Sequence, residues 1–477
     1  MTKPNTVGAG PMGSGSPVTR KQLLVNGGRA LGAFSALGLV GGGLAACGGS
    51  DSGGGGSAKS SGPVEFWQQG GAYRTYFDEL VIPAFQKAHP DIQLKMSFQP
   101  TEEIYRVSRT ALQAGRGPDL VPTYPGISND LIRAGLLADL TPYAEKYKWK
   151  DRLLGWALDA GSNEGKPYSL PMEYESIVLY FNKSLFEDKG WKPPTNRSEL
   201  EALAEEVQGQ GMVPFSAGNK DWRPWTGQIF VTVFFNHFAG PQAVYDALTG
   251  KLPWTDAVFV DAIELLNSYF KKGWFGGGVE KFFSTGTEAM YSDLAKGKSA
   301  MDIEGLWNLR DLPKYFEEEG SDWDWVAAPP LRDGVPSPLF TLGIGTSVAM
   351  AAKSDQAEAA ATFLDWYYSD PKRVGGWLAK YPGTASIPLT IPEDSFPSSM
   401  DARIRDIYAT VSGAAGDAHY GYTTYTFWPP ESHNYTHEGM EKVLTGDTTP
   451  KEYCARLDEI FQGELKKNLV PPLIKPS

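Results

Sequence analysis

Apolar positions with strand-like or helical spacing succeed one another from about residue 63 onward. The run at residues 64–67 predicts a short strand, and the apolar side chains of residues 76–89 recur at helical spacing. Residues 92–98 alternate as a second strand, a helix runs from 101 towards 114, and a third strand is entered at 117–121. Strand, helix, strand, helix, strand is typical of an α/β unit with a parallel sheet.

The middle and the end of the chain show more helical than strand spacing. A further buried strand is predicted at residues 343–351, and an apolar helix follows at 354–369. No internal repeat and no second low-complexity linker interrupts this pattern, so we expect lobes that share the chain rather than domains in series. Other helices are predicted at residues 197–208, 226–238, 256–272, 287–296 and 450–465.

The first 62 residues have a different composition. Basic residues precede a Gly- and Ala-rich apolar run at 30–44, which ends in Leu-Ala-Ala-Cys at Cys47. A membrane-spanning helix needs about 20 apolar residues, and this run is shorter. The pattern is typical of a bacterial lipoprotein signal, with residues 1–46 as the signal peptide, Cys47 as the lipidated residue and 47–62 as a flexible Gly/Ser tether.

This signal predicts where the protein works. We expect a protein that is lipid-anchored to the outer face of the cell membrane through Cys47. The Thr-Arg-Lys-Gln-Leu-Leu segment at residues 19–24 is similar to a twin-arginine export signal, but Lys21 stands where a second arginine is expected. The general secretory and the twin-arginine routes therefore both stay open.

The charge balance and the cysteines narrow the class of protein. The chain carries 44 Lys and Arg against 56 Asp and Glu, a formal net charge of −12, so a nucleic acid is not an expected partner. With Cys47 lipidated, Cys454 has no intramolecular partner, and we expect it to be a buried structural thiol. The fold must then be stable without a disulfide.

Motifs for catalysis and metal binding are weak. No G-x-S-x-G nucleophile elbow occurs, and His433 and His437, although spaced i, i+4, lack the glutamate that follows the first histidine of a zinc protease. Glu173 and Glu175 lie on one side of an extended stretch and could form the carboxylate pair of a glycosidase, but such pairs usually come from different strands. We expect no metal, no cofactor and no catalytic residue.

Aromatic residues are abundant, with 14 Trp, 22 Tyr and 23 Phe. Several of the tryptophans stand in polar, Gly- and Pro-rich surroundings rather than in apolar runs. Such side chains are either core anchors or platforms on which a flat, partly apolar ligand stacks. The sequence pattern leaves both interpretations open.

Short segments in a fixed order carry a family resemblance. Together they resemble the extracellular solute-binding proteins of ABC importers, specifically the carbohydrate-binding group, from residue 64 to about 465. Each segment alone is weakly specific, whereas the ordered set is specific. The segments are residues 66–67, 85–92, 114–120, 136–140, 165–171, 179–186, 297–301, 305–307, 328–330 and 444–450.

The resemblance implies an α/β fold of two lobes, the type II periplasmic-binding-protein-like fold, with the ligand in the cleft between them. The chain would cross between the lobes near 171, 340–345 and 383–388. The implied N-lobe comprises residues 63–172 and 343–383, and the implied C-lobe comprises 173–342 and 384–477. Open α/β sheets place their ligands where strand ends and connecting loops meet.

The resemblance also implies site residues. Glu175 matches a sugar-contacting glutamate of the family, and Trp307 matches a stacking tryptophan. For the remaining candidates, packing and ligand contact are both open. These remaining candidates are Trp67, Gln68, Gln69, Tyr124, Glu173, Trp222, Trp225 and Trp428.

The function implied is the capture of a mono- or oligosaccharide by a monomeric, lipid-anchored binding protein. The protein would then deliver this carbohydrate to the transmembrane subunits of an ABC permease. Two alternatives stay open. One is a non-sugar solute such as a glycerophosphodiester or a polyamine in the same fold, and the other is an exported glycoside hydrolase that uses Glu173 and Glu175.

Overall fold

A computed structural model describes residues 62–416 and 420–475. Cys47 and the tether lie outside the described residues, so the predicted signal peptide and lipid anchor stay predictions. The described residues contain thirteen β-strands. They are β1 Val64–Gln69, β2 Leu94–Gln99, β3 Leu120–Thr123, β4 Ser162–Asn163, β5 Lys166–Pro167, β6 Ser169–Pro171, β7 Ile177–Asn182, β8 Val213–Ser216, β9 Ser299–Gly305, β10 Trp323–Val326, β11 Phe340–Leu342, β12 Ser347–Met350 and β13 Tyr420–Tyr422.

Helices cover these strands. The α-helices are Ala72–Tyr76, Ile82–Ala88, Thr101–Gln113, Pro125–Arg133, Thr141–Lys146, Gly155–Ala160, Lys183–Lys189, Arg197–Gly209, Thr232–Phe234, Pro241–Leu248, Ala257–Lys271, Val279–Ser284, Thr287–Ala295, Leu312–Glu319, Ala357–Tyr367, Pro371–Lys380, Ala402–Gly416, Thr424–Phe427, Pro430–Thr445 and Pro450–Lys466. The segments Trp149–Asp151, Leu306–Arg310 and Glu393–Ser395 are 3₁₀-helical, and Phe77–Val81, Thr226–Val231 and Phe235–Ala239 are π-helical. Among the residues described, no helix is both long and apolar enough to cross a lipid bilayer.

The first sheet has the strand order β2-β1-β3-β12-β6. Strand β1 runs parallel to β2 and to β3, which confirms the parallel α/β unit predicted from the first 121 residues. Strand β12 then pairs antiparallel with both β3 and β6. The sheet is therefore mixed, because β12 comes from a distant part of the chain rather than from the next α/β unit.

The second sheet has the strand order β10-β7-β9-β8. Every residue of β7 and β9 is buried. Strands buried along their whole length are covered on both faces, which is why β7 reads as a continuous apolar run. Strand β9 is also fully buried but is not continuously apolar, since Asp302 and Glu304 alternate with Met301 and Ile303 along it.

The chain passes from the first sheet to the second beside two further segments, around residues 344 and 386. It leaves the first sheet at Pro171 and enters the second at Ile177. Between them, Met172 N–H donates to Thr346 O at 2.9 Å, Tyr174 N–H donates to Ser386 O at 2.9 Å, and Glu175 N–H donates to Gly343 O at 2.9 Å. These hydrogen bonds tie the segments around 173, 344 and 386 together at the positions where crossings are predicted. The exact limits of each lobe stay a prediction.

The strand predicted at residues 343–351 is shorter than expected. Regular pairing is confined to β12, and the preceding residues form one of the crossings. Apolar spacing does not distinguish a strand from a crossing segment, because a crossing segment buried between lobes is as apolar as a strand.

Trp428 belongs to an aromatic cluster in the core. Its ring centroid lies 4.3 Å from that of Trp254 and 6.0 Å from that of Phe235, and the side chain is 1% exposed. In this conformation Trp428 therefore packs against protein on all sides. Cys454 is likewise buried and is a free thiol.

We expect Trp428→Ala to lower the free energy of unfolding by about 3 to 5 kcal/mol, because a large buried ring is removed from a packed core. Urea unfolding followed by circular dichroism measures this change. Trp222→Ala is the matched control, since Trp222 is 36% exposed, and it should cost less than about 1 kcal/mol. A cost below about 1 kcal/mol for Trp428→Ala would contradict the core placement.

Candidate ligand-binding site

Glu173 and Glu175 lie in the first crossing segment, between β6 and β7, and both are buried. Their carboxylates face the second crossing segment at Gly345. A Cβ atom at Gly345 would lie 2.2 Å from Glu173 Oε1 and 3.2 Å from Glu175 Oε1. A side chain at this position would therefore force the Glu173 carboxylate to move.

Burial controls the protonation of this pair. Loss of solvent raises the pKa of Glu173 to about 7, although nearby Tyr73 and the positive charge of Arg310 oppose the shift. The pKa of Glu175 is also raised well above its usual value, first by burial and then by the charge of Glu173, with Arg310 and Tyr425 opposing. Each carboxyl group of this buried pair therefore holds its proton more readily than it would in water.

Hydroxyl groups surround the pair. The Tyr73 hydroxyl lies beside Glu173 and the Tyr425 hydroxyl lies beside Glu175. These hydroxyls and that of Thr346 are buried, and they interact with Glu173, Glu175 and Tyr105, respectively. A hydroxyl group that donates to a carboxylate can still accept a hydrogen bond from a ligand.

Four aromatic rings extend from the carboxylates. The rings of Tyr425 and Trp307 meet edge to face at 6.4 Å, those of Trp307 and Trp222 at 6.2 Å, and those of Trp222 and Trp225 at 6.0 Å. Tyr425 thereby links Glu175 to the tryptophans. The row gives the site a large, rigid, partly apolar wall.

A short 3₁₀-helix, Leu306–Arg310, positions two of these groups. Residues i and i+3 are eclipsed in a 3₁₀-helix, so Trp307 and Arg310 project from the same side. The helix follows β9 directly at Gly305, where a Cβ atom would lie 2.3 Å from the Trp307 ring. The ring can fold back over the end of β9 only because this residue is glycine.

Two further acids lie at the end of β9. Asp302 and Glu304 are fully buried, and burial raises the pKa of Asp302 to about 8 and that of Glu304 well above its usual value. Asp302 Oδ2 accepts a hydrogen bond from Asn308 Nδ2 at 3.3 Å, and Glu304 Oε1 accepts one from Gly305 N at 3.1 Å. Asp302 Oδ1 and Glu304 Oε2 have no partner among the described residues.

The structure brings five of the sequence-predicted residues into one connected site. These five are Glu173, Glu175, Trp222, Trp225 and Trp307. Tyr124 is adjacent, because its ring meets that of Tyr105 edge to face at 5.0 Å and Tyr105 lies near both Thr346 and Glu173.

The other sequence-predicted residues lie further from the carboxylates or face inward. Gln68 is fully buried, and its side chain donates to Met172 Sδ at 3.2 Å and accepts from Gln69 N at 2.8 Å. Gln69 is buried at the end of β1, and Trp67 is half-buried on the same strand. Trp428 lies in the core cluster described above. Their predicted ligand contacts stay predictions.

Several groups of the site were not predicted from the sequence. They are Tyr73, Tyr105, Asp302, Glu304, Arg310, Thr346 and Tyr425. The two acids had a usable signal, since they alternate with apolar residues in a strand that is otherwise suited to full burial. Tyr425 stands in a Tyr- and Thr-rich stretch whose pattern does not distinguish core from cleft.

Metal binding has no geometric support in the part of the chain that is described. Among residues 62–416 and 420–475, no group of three or more His, Cys, Asp or Glu side chains is arranged to hold an ion. Burial lowers the pKa of His433 to about 4, and His433 Nε2 lies 3.5 Å from Gln228 Nε2. His433 and His437 are therefore packed against protein on their helix.

A separate polar depression of about 680 Å³ lies between the Asn129 helix and the C-terminal segment. Arg133, one of its lining residues, donates to the backbone carbonyls of Lys467 and Asn468. This depression contains none of the sequence-predicted residues. It is distinct from the carboxylate and tryptophan site.

This fold and site correspond to a known class of protein. The sequence profile of the bacterial extracellular solute-binding proteins matches residues 70–373, and the chain belongs to that family. It has the two-lobed, type II fold of periplasmic binding proteins. Membership of an extracellular family also supports a location outside the cytoplasm.

Individual relatives show the same relationship over most of the chain. A putative binding protein of Brucella abortus is 24% identical over 394 residues, covering 81% of this chain and 90% of the relative. The galactooligosaccharide-binding protein of Bacillus subtilis is 22% identical over 430 residues, covering 89% and 94%. A chitin oligosaccharide binding protein of known structure superposes with a TM-score of 0.70 at 18% identity, covering 85% of this chain and 100% of that one.

The raised carboxyl pKa values predict that stability falls as pH rises. Below pH 7 the folded protein holds protons on Glu173 and its neighbours that the unfolded chain, with an ordinary pKa near 4.5, has already released. Folding is therefore favoured most at the acidic end of this window and loses stability as pH rises from about 4.5 to 7. Urea unfolding at half-unit pH intervals measures the slope.

Glu173→Gln should flatten this slope by removing one titrating group, which contributes at most about 1.4 kcal/mol per pH unit. Glu206→Gln, at an exposed carboxylate, is the control and should leave the slope unchanged. An identical slope in wild type and Glu173→Gln would show that Glu173 does not titrate in this window.

Proposed function

We propose that this protein is the carbohydrate-binding subunit of an ABC importer. It captures a mono- or oligosaccharide in the cleft between its two lobes and delivers it to a membrane permease. The observation that carries the proposal is the set of buried carboxyl and hydroxyl groups of Glu173, Glu175, Tyr73 and Tyr425 beside a row of tryptophans. The names of the galactooligosaccharide- and chitin oligosaccharide-binding relatives support the same class of ligand.

The chemistry of a sugar fits this arrangement. A pyranose ring has an apolar C–H face, which stacks on an aromatic ring such as Trp307, and an equator of hydroxyl groups. Those hydroxyls both donate and accept, so they can supply partners to carboxylates and to tyrosine hydroxyls at once. Each buried polar atom that gains a partner removes a penalty of about 1 to 3 kcal/mol.

Closure of the lobes provides the signal for the permease. The ligand would contact Glu173 and Glu175 on the crossing segment, Tyr73 after β1, and Trp307 after β9, so its partners come from both sheets. A ligand that contacts both lobes binds the closed state better than the open one, and this difference in affinity drives hinge closure. No bond in the sugar is broken in this cycle.

Removal of the central contacts should weaken sugar binding. We expect Trp307→Ala and Glu175→Gln each to reduce affinity for the best ligand at least about tenfold, equivalent to about 1.4 kcal/mol. A thermal-shift screen of mono- and oligosaccharides identifies that ligand, and isothermal titration calorimetry measures the variants. Wild-type affinity in both would refute the site.

Trp191→Ala is the matched control for this experiment. Trp191 is also a partly buried tryptophan, but it packs on Phe186 and donates to Glu206 Oε1 at 2.8 Å, away from the carboxylate pair. Its removal should leave sugar affinity within about twofold of wild type. Chromatography of the recovered sugar after incubation checks for hydrolysis, since turnover would favour a glycosidase that uses Glu173 and Glu175.

The lipid anchor completes the proposal. Attachment through Cys47 would hold the receptor within reach of its transporter, and two or more acyl chains give lasting attachment to a membrane. We expect Cys47→Ser to release the protein from the membrane fraction and to abolish labelling by a palmitate analogue. Sugar affinity of the released protein should be unchanged, and retention in the membrane would contradict the anchor.

A further inference from the structure

The site holds more acidic groups than a neutral ligand requires. Glu173, Glu175, Asp302 and Glu304 are all buried, and the charge of Glu175 acts on Glu304 as well as on its own neighbour. Among the described residues, Arg310 is the cation whose charge acts on Glu173 and Glu175. The two acids of the first crossing therefore share one cation, and Glu304 lies within reach of the charge of Glu175.

Each of the two acids at the end of β9 has one oxygen with little support from the protein. Asp302 Oδ1 is buried without a hydrogen-bond partner among the described residues, and Glu304, also fully buried, has the Trp307 side chain beside it. Burial raises the pKa of both groups, so each holds its proton more readily than in water while no ligand is present. A protonated amine supplies three N–H donors and a positive charge that offsets the cost of a buried carboxylate, whereas a hydroxyl group supplies one O–H donor and no charge.

The row of aromatic rings also favours the binding of an ammonium group. The Trp307 side chain lies next to the Glu304 carboxylate, and Trp222 and Tyr425 flank it. Aromatic faces attract cations, and they do so most strongly when the cation is out of water. The cation–π contacts found among the described residues involve none of the rings of Trp222, Trp225, Trp307 and Tyr425.

We propose that the ligand is an amino sugar or an amino-substituted oligosaccharide, whose protonated amine lies between the carboxylates of Glu175 and Glu304 and the ring of Trp307. This inference rests on the proposed function, since it names the class of carbohydrate that the same site binds. The sugar rings stack on the tryptophans, and the amine meets the acceptor capacity that hydroxyl groups leave open.

A matched pair of ligands tests the proposal directly on the unmodified protein. The trimer of glucosamine and the trimer of N-acetylglucosamine share linkage and length but differ in charge, and glucosamine with glucose and galactosamine with galactose form two monosaccharide pairs. Calorimetry at pH 7 measures each affinity. We expect the amine to bind at least about tenfold more tightly than its neutral partner in at least one pair.

The Glu304→Gln variant tests whether the ligand amine lies beside the carboxylate of Glu304. The substitution removes one charge and keeps the shape of the side chain, so the ratio of amine affinity to neutral-sugar affinity should fall at least about fivefold. Glu206→Gln, at an exposed carboxylate, is the control and should preserve the preference. If Glu304→Gln does not fold, the comparison of matched ligands on the wild-type protein still decides.

The outcomes separate this inference from the proposed function. Equal or tighter binding of the neutral sugars would overturn the amine proposal and leave carbohydrate binding intact. Binding of spermidine more tightly than any sugar would overturn both, because a polyamine shares the positive charge but not the sugar ring. Failure of every charged and neutral sugar to bind would also overturn both.

Discussion

The removal of the Glu173 and Glu175 carboxylates from water is the constraint on which the rest of the site depends. A buried carboxylate is costly unless it is protonated, paired or hydrogen-bonded, and each of these compensations is visible around the pair. The pKa of Glu173 is raised to about 7, Arg310 supplies a charge, and tyrosine hydroxyls lie beside both groups. Gly345 leaves room for the Glu173 carboxylate, which a Cβ atom at this position would force to move.

The position of Glu173 and Glu175 links ligand binding to movement of the two lobes. Both glutamates lie on a crossing segment, and backbone hydrogen bonds hold that segment against the crossings at Gly343 and Ser386. A ligand that contacts the carboxylates therefore contacts the hinge region itself as well as the lobes. In the proposed function, the ligand adds further partners for the buried acids when the lobes close around it.

The sequence predicts the fold better than it predicts the site. Apolar spacing places several of the longer helices and the parallel core of the first sheet, because those elements are local and their periodicity is strong. Strand β12 joins that sheet from more than 200 residues away, so apolar spacing predicts the strand but not the sheet to which it belongs. Glu175 and Trp307 come from family resemblance, and the structure links them through Tyr425, whose stretch of sequence resembles core. Asp302 and Glu304 are absent from the predicted site because no strand is predicted from the sequence over β9, so the alternation of these acids with apolar residues is not used.

The most direct test of the central claim is a crystal structure of the protein with the sugar that gives the largest thermal shift. The account predicts electron density for the sugar against the Trp307 ring, with a polar group of the ligand within hydrogen-bond distance of the Glu175 carboxylate. Density for the sugar elsewhere, for example in the depression beside Asn129 and Arg133, with the carboxylate and tryptophan site unoccupied, would contradict it.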